Sequence, residues 1–188
     1  MDIIVAQGYE AGGHTGEIAS MVLQPDVVDA VGPDVPVLGA GGIGSGRQIA
    51  ASLALGSQGV WTGSIWLRTE EYQNLQSNEG WTEAFTRATS SDTVRTRIYT
   101  GKPARLLKTK WTEAWAEEGA PAPLPMPLQN LLVADAHNRI NASGDPDVIS
   151  MPVGQIVGRM NQVRPVAEVM ADLIAEFEQS VARLDEIV

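Results

Sequence analysis

Residues 10 to 16, EAGGHTG, set the only histidine of the first 136 residues among glycines. An imidazole gains and loses a proton near neutral pH, so His14 can serve a bound ligand as base or as hydrogen-bond donor. A core histidine needs packing, and Gly12, Gly13 and Gly16 supply none. Glycine is used where a backbone must let something else come close. The plainer alternative is an exposed histidine on a loop. No metal site is expected: Glu10 is a nearby carboxylate, but His14 has no histidine partner. His137, far along the chain, reads as a surface residue.

Two further glycine clusters bear on what His14 would face. Gly39-Ala40-Gly41-Gly42-Ile43-Gly44 fits G-x-G-x-x-G between an apolar run and a helical stretch. A dinucleotide site would then need an acid about 20 residues on, at the end of the next strand, to hold the ribose. Thr62-Gly63-Ser64 stands there instead, and no lysine follows the glycines, so both the Rossmann and the P-loop readings fail. What remains is two successive strand ends reduced to backbone. The loops after the last two strands of a (β/α)8 barrel use such backbone to hold a phosphate. The alternative is that these glycines only serve tight turns.

The elements that must position these residues follow from the apolar pattern. Residues 3–6, 35–40 and 59–62 read as short strands, the first of them buried on both faces. Pro25 and Asp26 open a helix that closes at Gly32-Pro33. Ser45 caps a second helix, in which Ile49, Ala50, Leu53 and Ala54 share a face, and Gly56 ends it. Strand and helix alternate, which predicts βαβ units and a parallel sheet. From residue 70 to 147 that rhythm is lost. The segment reads as a largely helical extension outside the strands, with Trp111 and Trp115 on one inward helical face. Residues 120–127 carry four prolines and read as an extended loop. Pro165 opens a final amphipathic helix with a buried stripe of Val166, Val169, Met170, Leu173, Ile174, Phe177, Val181 and Leu184. The expected division is 1–69 as C-terminal βα units of a barrel, 70–150 as an extension or lid, and 151–188 as a closing segment. Three strands do not complete a barrel, so the first half of the fold is expected to lie outside this sequence.

Composition narrows the function classes. Of 188 residues, 23 are acidic and 13 basic, a net charge of −10. That opposes nucleic acid and anionic membranes as partners. With no cysteine, disulfides and thiolate metal sites are excluded. No apolar run nears the roughly 20 residues needed to cross a bilayer. The first residues lack a basic n-region, so a cytoplasmic protein is expected. A homo-oligomer is compatible with this composition.

The run Gln7-Gly8-Tyr9-Glu10-Ala11-Gly12-Gly13-His14-Thr15-Gly16 resembles the histidine signature of the nitronate monooxygenases. Gly39-Ala40-Gly41-Gly42-Ile43 and Gly59-Val60-Trp61-Thr62-Gly63-Ser64 resemble that family's FMN phosphate loops. The resemblance implies an α/β fold of (β/α)8 TIM-barrel type, here about its last three βα units. It also implies FMN-dependent oxidation of alkyl nitronates by dioxygen to a carbonyl compound and nitrite. His14 would be the catalytic base or proton-handling group near the flavin. Gln7, Gly12 and Gly13 would lie along the flavin ring, while Gly41, Gly42, Trp61, Thr62, Gly63 and Ser64 would cradle its phosphate. An FMN-dependent enoyl-thioester reductase shares these features, and a non-catalytic half-barrel that binds a phosphate ligand or pairs with another subunit is the rival from a different class.

Overall fold

The structure is a computed structural model that describes residues 2–75 and 79–187. Strands β1 (Ile4–Gln7), β3 (Val37–Ala40) and β4 (Gly59–Trp61) form a parallel sheet in the order β1-β3-β4. Between β1 and β3 runs helix α1 (Ser20–Val31), and between β3 and β4 runs α2 (Gly46–Ala54). This is the βαβ repeat that the alternation predicts. Register pairs Gln7 with Ala40 and Ala40 with Trp61, so all three strands end at one level. Among the described residues the sheet stays open, with three parallel strands and no closed barrel.

The local expectations hold at α2 and need correction elsewhere. Ser45 caps α2 as expected, its hydroxyl accepting from the Gln48 N–H at 3.4 Å. Helix α1 begins at Ser20 instead of Pro25, and Pro25 lies inside it. The reason is a cap supplied from outside the helix. The Glu10 carboxylate accepts from the Ser20 N–H at 3.1 Å and from its hydroxyl at 2.9 Å. A carboxylate there favours the positive end of the helix dipole. Strand β1 is not buried on both faces: Ala6 is buried, but Val5 is 39% exposed. As the outer strand it has a strand neighbour on one side only.

The last helix, α7 (Val166–Asp185), follows Pro165 as expected but buries only Leu173 of the proposed stripe. Met170, Ile174, Val181 and Leu184 are exposed. Its main partner, α2, has 9 residues against the 20 of α7, so it covers a small part of the longer helix. Where they cross, a Cβ built on Gly46 would lie 2.2 Å from the Leu173 carbonyl oxygen, so only glycine permits this approach. Glu176 accepts from the Gly46 N–H at 3.0 Å and ties the two helices together.

The segment from 70 to 147 departs most from expectation. It does carry helices, namely α3 (Glu70–Leu75), α4 (Glu79–Arg87), α5 (Lys110–Ala114) and α6 (Leu128–Ser143). It also carries an antiparallel hairpin, β5 (Thr93–Thr96) with β6 (Ala104–Leu107). β6 pairs in turn with β2 (Gly13–His14), matching Gly13 with Arg105 and His14 with Ala104. The segment is therefore built into the histidine loop. Its partner lies some ninety residues earlier, beyond the reach of local periodicity. Phe85, Leu107, Val153, Val157 and Met160 share one buried core, which binds the hairpin to the closing segment.

Candidate active site

Because Gln7, Ala40 and Trp61 end their strands at one level, the loops that follow converge. They enclose a cavity of about 320 Å³. Of the residues singled out in the sequence, Gln7, Gly12, Gly41, Gly42, Trp61, Thr62, Gly63 and Ser64 line it. Gly13 and His14 do not; they lie in β2, beside its wall. Ala11, Ala40, Ile43, Leu67, Pro152, Gly154 and Ile156 complete the lining.

Two glycines show how the cavity is shaped. A Cβ on Gly12 would stand 2.6 Å from the Gly154 nitrogen, so the histidine loop lies directly on the backbone of residues 153 and 154. A Cβ on Gly63 would meet nothing within 4 Å, which leaves open space where that loop faces the cavity. Among the described residues, the backbone N–H groups of Gly42, Gly63 and Ser64 donate to no protein acceptor. The Ser64 hydroxyl accepts from the Gly154 N–H at 2.8 Å. Gln155 N–H donates to the Glu10 carbonyl at 3.0 Å. These two bonds close the cavity with the segment 152–156.

His14 is held by its backbone and by its ring. Gln7 Nε2 donates to the His14 carbonyl at 2.8 Å, and His14 Nε2 lies 2.6 Å from Thr100 Oγ1. The hydroxyl comes from the turn between β5 and β6 and has no local signal in the sequence. Arg105 is 3% exposed and braces the loop from beneath. Its Nε and an Nη donate to the Tyr9 carbonyl at 3.2 and 3.0 Å, and its guanidinium sits 4.6 Å from the Tyr9 ring centroid. Arg95 lies over the same ring at 5.3 Å and pairs with Glu17 at 2.7 Å. A cation over a tyrosine face is attracted by the ring's quadrupole.

His137 is not a surface residue. Its ring stacks on Tyr99 with centroids 4.6 Å apart and meets Trp111 edge-on at 5.9 Å. Its Nε2 is buried without a hydrogen-bond partner, and burial holds its pKa below the ordinary histidine value. Trp111 and Trp115 are both half-buried and meet edge to face at 5.9 Å. Thus the segment after residue 70 packs an aromatic cluster directly behind the Thr100 turn.

The profile of the nitronate monooxygenase family matches residues 1–176. Rv1533 of Mycobacterium tuberculosis (strain ATCC 25618 / H37Rv), a protein named as a monooxygenase, is 53% identical over 194 residues, covering all of this chain and 51% of that protein. A Staphylococcus aureus (strain Newman) protein named as a nitronate monooxygenase is 33% identical over 95% of this chain and 51% of its own length. Among solved structures, FabK from Thermotoga maritima aligns with a TM-score of 0.83 at 31% identity, over all of this chain and 58% of that one. The nitroalkane oxidase from Streptomyces ansochromogenes aligns with a TM-score of 0.82 at 32% identity, over 97% of this chain and 53% of that one. The chain thus spans about half the length of the curated relatives it matches. With the family profile covering nearly the whole sequence, the chain belongs to the nitronate monooxygenase family, a family of oxidoreductases.

Proposed function

We propose that this chain supplies the phosphate-gripping and proton-handling half of an FMN-dependent oxidation of alkyl nitronates by dioxygen, yielding a carbonyl compound and nitrite. One observation carries the reading: a single cavity at the aligned ends of three parallel strands gathers both glycine loops, with the His14 loop forming its wall. The residues present fit a flavin mononucleotide. The free N–H groups of Gly42, Gly63 and Ser64 offer donors to a phosphate, and the open space at Gly63 leaves room for it. When bound, the flavin supplies the electron transfer from substrate and on to dioxygen.

The chain's own residues then divide the remaining work. Gly12 lets the His14 loop lie directly on the backbone of residues 153 and 154, and Gln7 fixes the His14 backbone while lining the cavity. Trp61, 61% exposed, offers an indole face at the cavity rim beside Thr62. His14 takes the proton from the carbon next to a neutral nitro group, generating the nitronate in place.

His14→Asn tests this. The variant should keep FMN, which is gripped elsewhere. It should lose turnover of neutral nitroalkane by about 10²–10⁴-fold, the usual worth of general-base help, and far less with pre-formed nitronate. Equal loss on both substrates would assign His14 to binding, and no loss on either would return it to an exposed loop residue. The alignment with FabK keeps a second reading in view, FMN-dependent reduction of an enoyl thioester. Consumption of NADH with an enoyl thioester, and no dioxygen uptake with a nitronate, would select it.

A further inference from the structure

We propose that Thr100 is a positioning residue for His14, holding the imidazole ring by its Nε2 so that one orientation is presented to the substrate. The inference rests on the reading of His14 as the proton-handling group. His14 is an exposed side chain at the end of a two-residue strand that follows Gly12, and such a ring is ordinarily free to rotate. Here its backbone is fixed by pairing with Ala104 and by the Gln7 amide, and its far end is fixed by the 2.6 Å contact to Thr100 Oγ1. With both ends held, χ1 and χ2 are set together.

The turn that carries Thr100 is itself held from behind. Thr100 is 8% exposed, and its hydroxyl oxygen also accepts from the Lys102 N–H at 3.3 Å. Gly101 N–H donates to the Arg97 carbonyl at 2.8 Å. Gln129, fully buried on α6, donates through Nε2 to the Ile98 carbonyl at 2.9 Å and accepts from the Leu124 N–H at 2.9 Å. A Cβ on Gly101 would stand 2.4 Å from the Leu124 carbonyl oxygen, so the proline-rich segment lies tightly against the turn. A hydroxyl mounted this firmly can impose an orientation on a mobile ring. Because Nε2 is engaged, the ring's other nitrogen, Nδ1, is the one left for substrate.

The test measures ring order first and turnover second, on the whole chain with its two histidines labelled. In the unmodified protein, the His14 ring protons should show a nuclear Overhauser contact to the Thr100 methyl group; a His137→Gln variant assigns the two rings. Thr100→Val should release the ring into fast motion by 13C relaxation, and Thr100→Ser should restore its order. Turnover of neutral nitroalkane by Thr100→Val should fall about tenfold in kcat with KM changed less than twofold, turnover of pre-formed nitronate should hold, and Thr100→Ser should recover most of the loss. Absence of the Overhauser contact, or a ring in Thr100→Val as ordered as in the parent, would overturn the proposal. If Thr100→Val does not fold, the contact in the parent and the ring order of Thr100→Ser decide the matter. Should the parent turn over no nitroalkane at all, the functional reading fails while the relaxation data still judge Thr100.

Discussion

Two parts of the molecule meet at the His14 loop and contribute in different ways. The parallel strands β1, β3 and β4 bring backbone: their loops are glycines, open N–H groups and empty space. The hairpin β5–β6 brings side chains: Arg95 and Arg105 brace Tyr9, and Thr100 reaches the imidazole. On the proposed reading, holding the ligand is a property of local chain geometry. Aiming the histidine depends on residues some eighty to ninety positions away.

If the hairpin is part of the core, removing its best-buried side chain should produce the largest effect. Leu106 has no exposed surface and bridges to Pro152, next to the cavity wall. Leu106→Ala should cost about 2–5 kcal/mol in urea unfolding, as large-to-small changes in cores do. A cost under about 1 kcal/mol would show the hairpin to be an appendage. Gly12→Ala should come next, at about 1–3 kcal/mol, because its Cβ meets backbone at 2.6 Å and the two regions must part to admit it. The same variant should lose FMN, since the parting opens the cavity.

The two regions were also unequally legible. β1, β3, β4, the Ser45 cap and the alignment of the glycine loops follow from period, turn chemistry and strand ends within a few dozen residues. Eight of the residues singled out therefore line one cavity. The start of α1 was hidden because its cap, Glu10, sits ten positions before Ser20. β5 and β6 were hidden because Thr93–Thr96 and Ala104–Leu107 have too little periodicity to show which partner they pair with. Thr100 was hidden for the same reason, since a threonine in a turn gains meaning only from what it faces. The histidine itself was conspicuous, but the group that orients it was not.

Gly63→Ala sharpens the contrast by reversing the balance seen at Gly12. With nothing within 4 Å of the new methyl group, unfolding should change by less than about 0.5 kcal/mol. Gly63 lines the cavity, however, so on the proposed reading FMN affinity should fall about tenfold, equivalent to about 1.4 kcal/mol. Fluorescence titration with FMN measures this directly. Undiminished affinity would mean that Gly63 does not face the phosphate.

The smallest expected effect isolates the aromatic cluster behind Thr100. Burial against Tyr99 and Trp111 lowers the pKa of His137 below the ordinary value near 6.5. In the window between 6.5 and that lower value the unfolded chain binds a proton that the folded chain refuses. Stability must therefore fall as pH drops through this window, by less than a full proton's worth because the ring is only half-buried. Asp147 does not confuse the measurement. Hydrogen bonds from Lys110 and Arg87 hold its carboxyl below the ordinary carboxylate range, so it titrates further down. Replacing His137 with Phe keeps the stack on Tyr99 and removes the titration. The urea midpoint of the parent should then fall between pH 7 and pH 5.5 by more than that of His137→Phe. If parent and variant fall in parallel, the cluster is wet enough to accept the proton, and the support behind the Thr100 turn is weaker than its packing indicates.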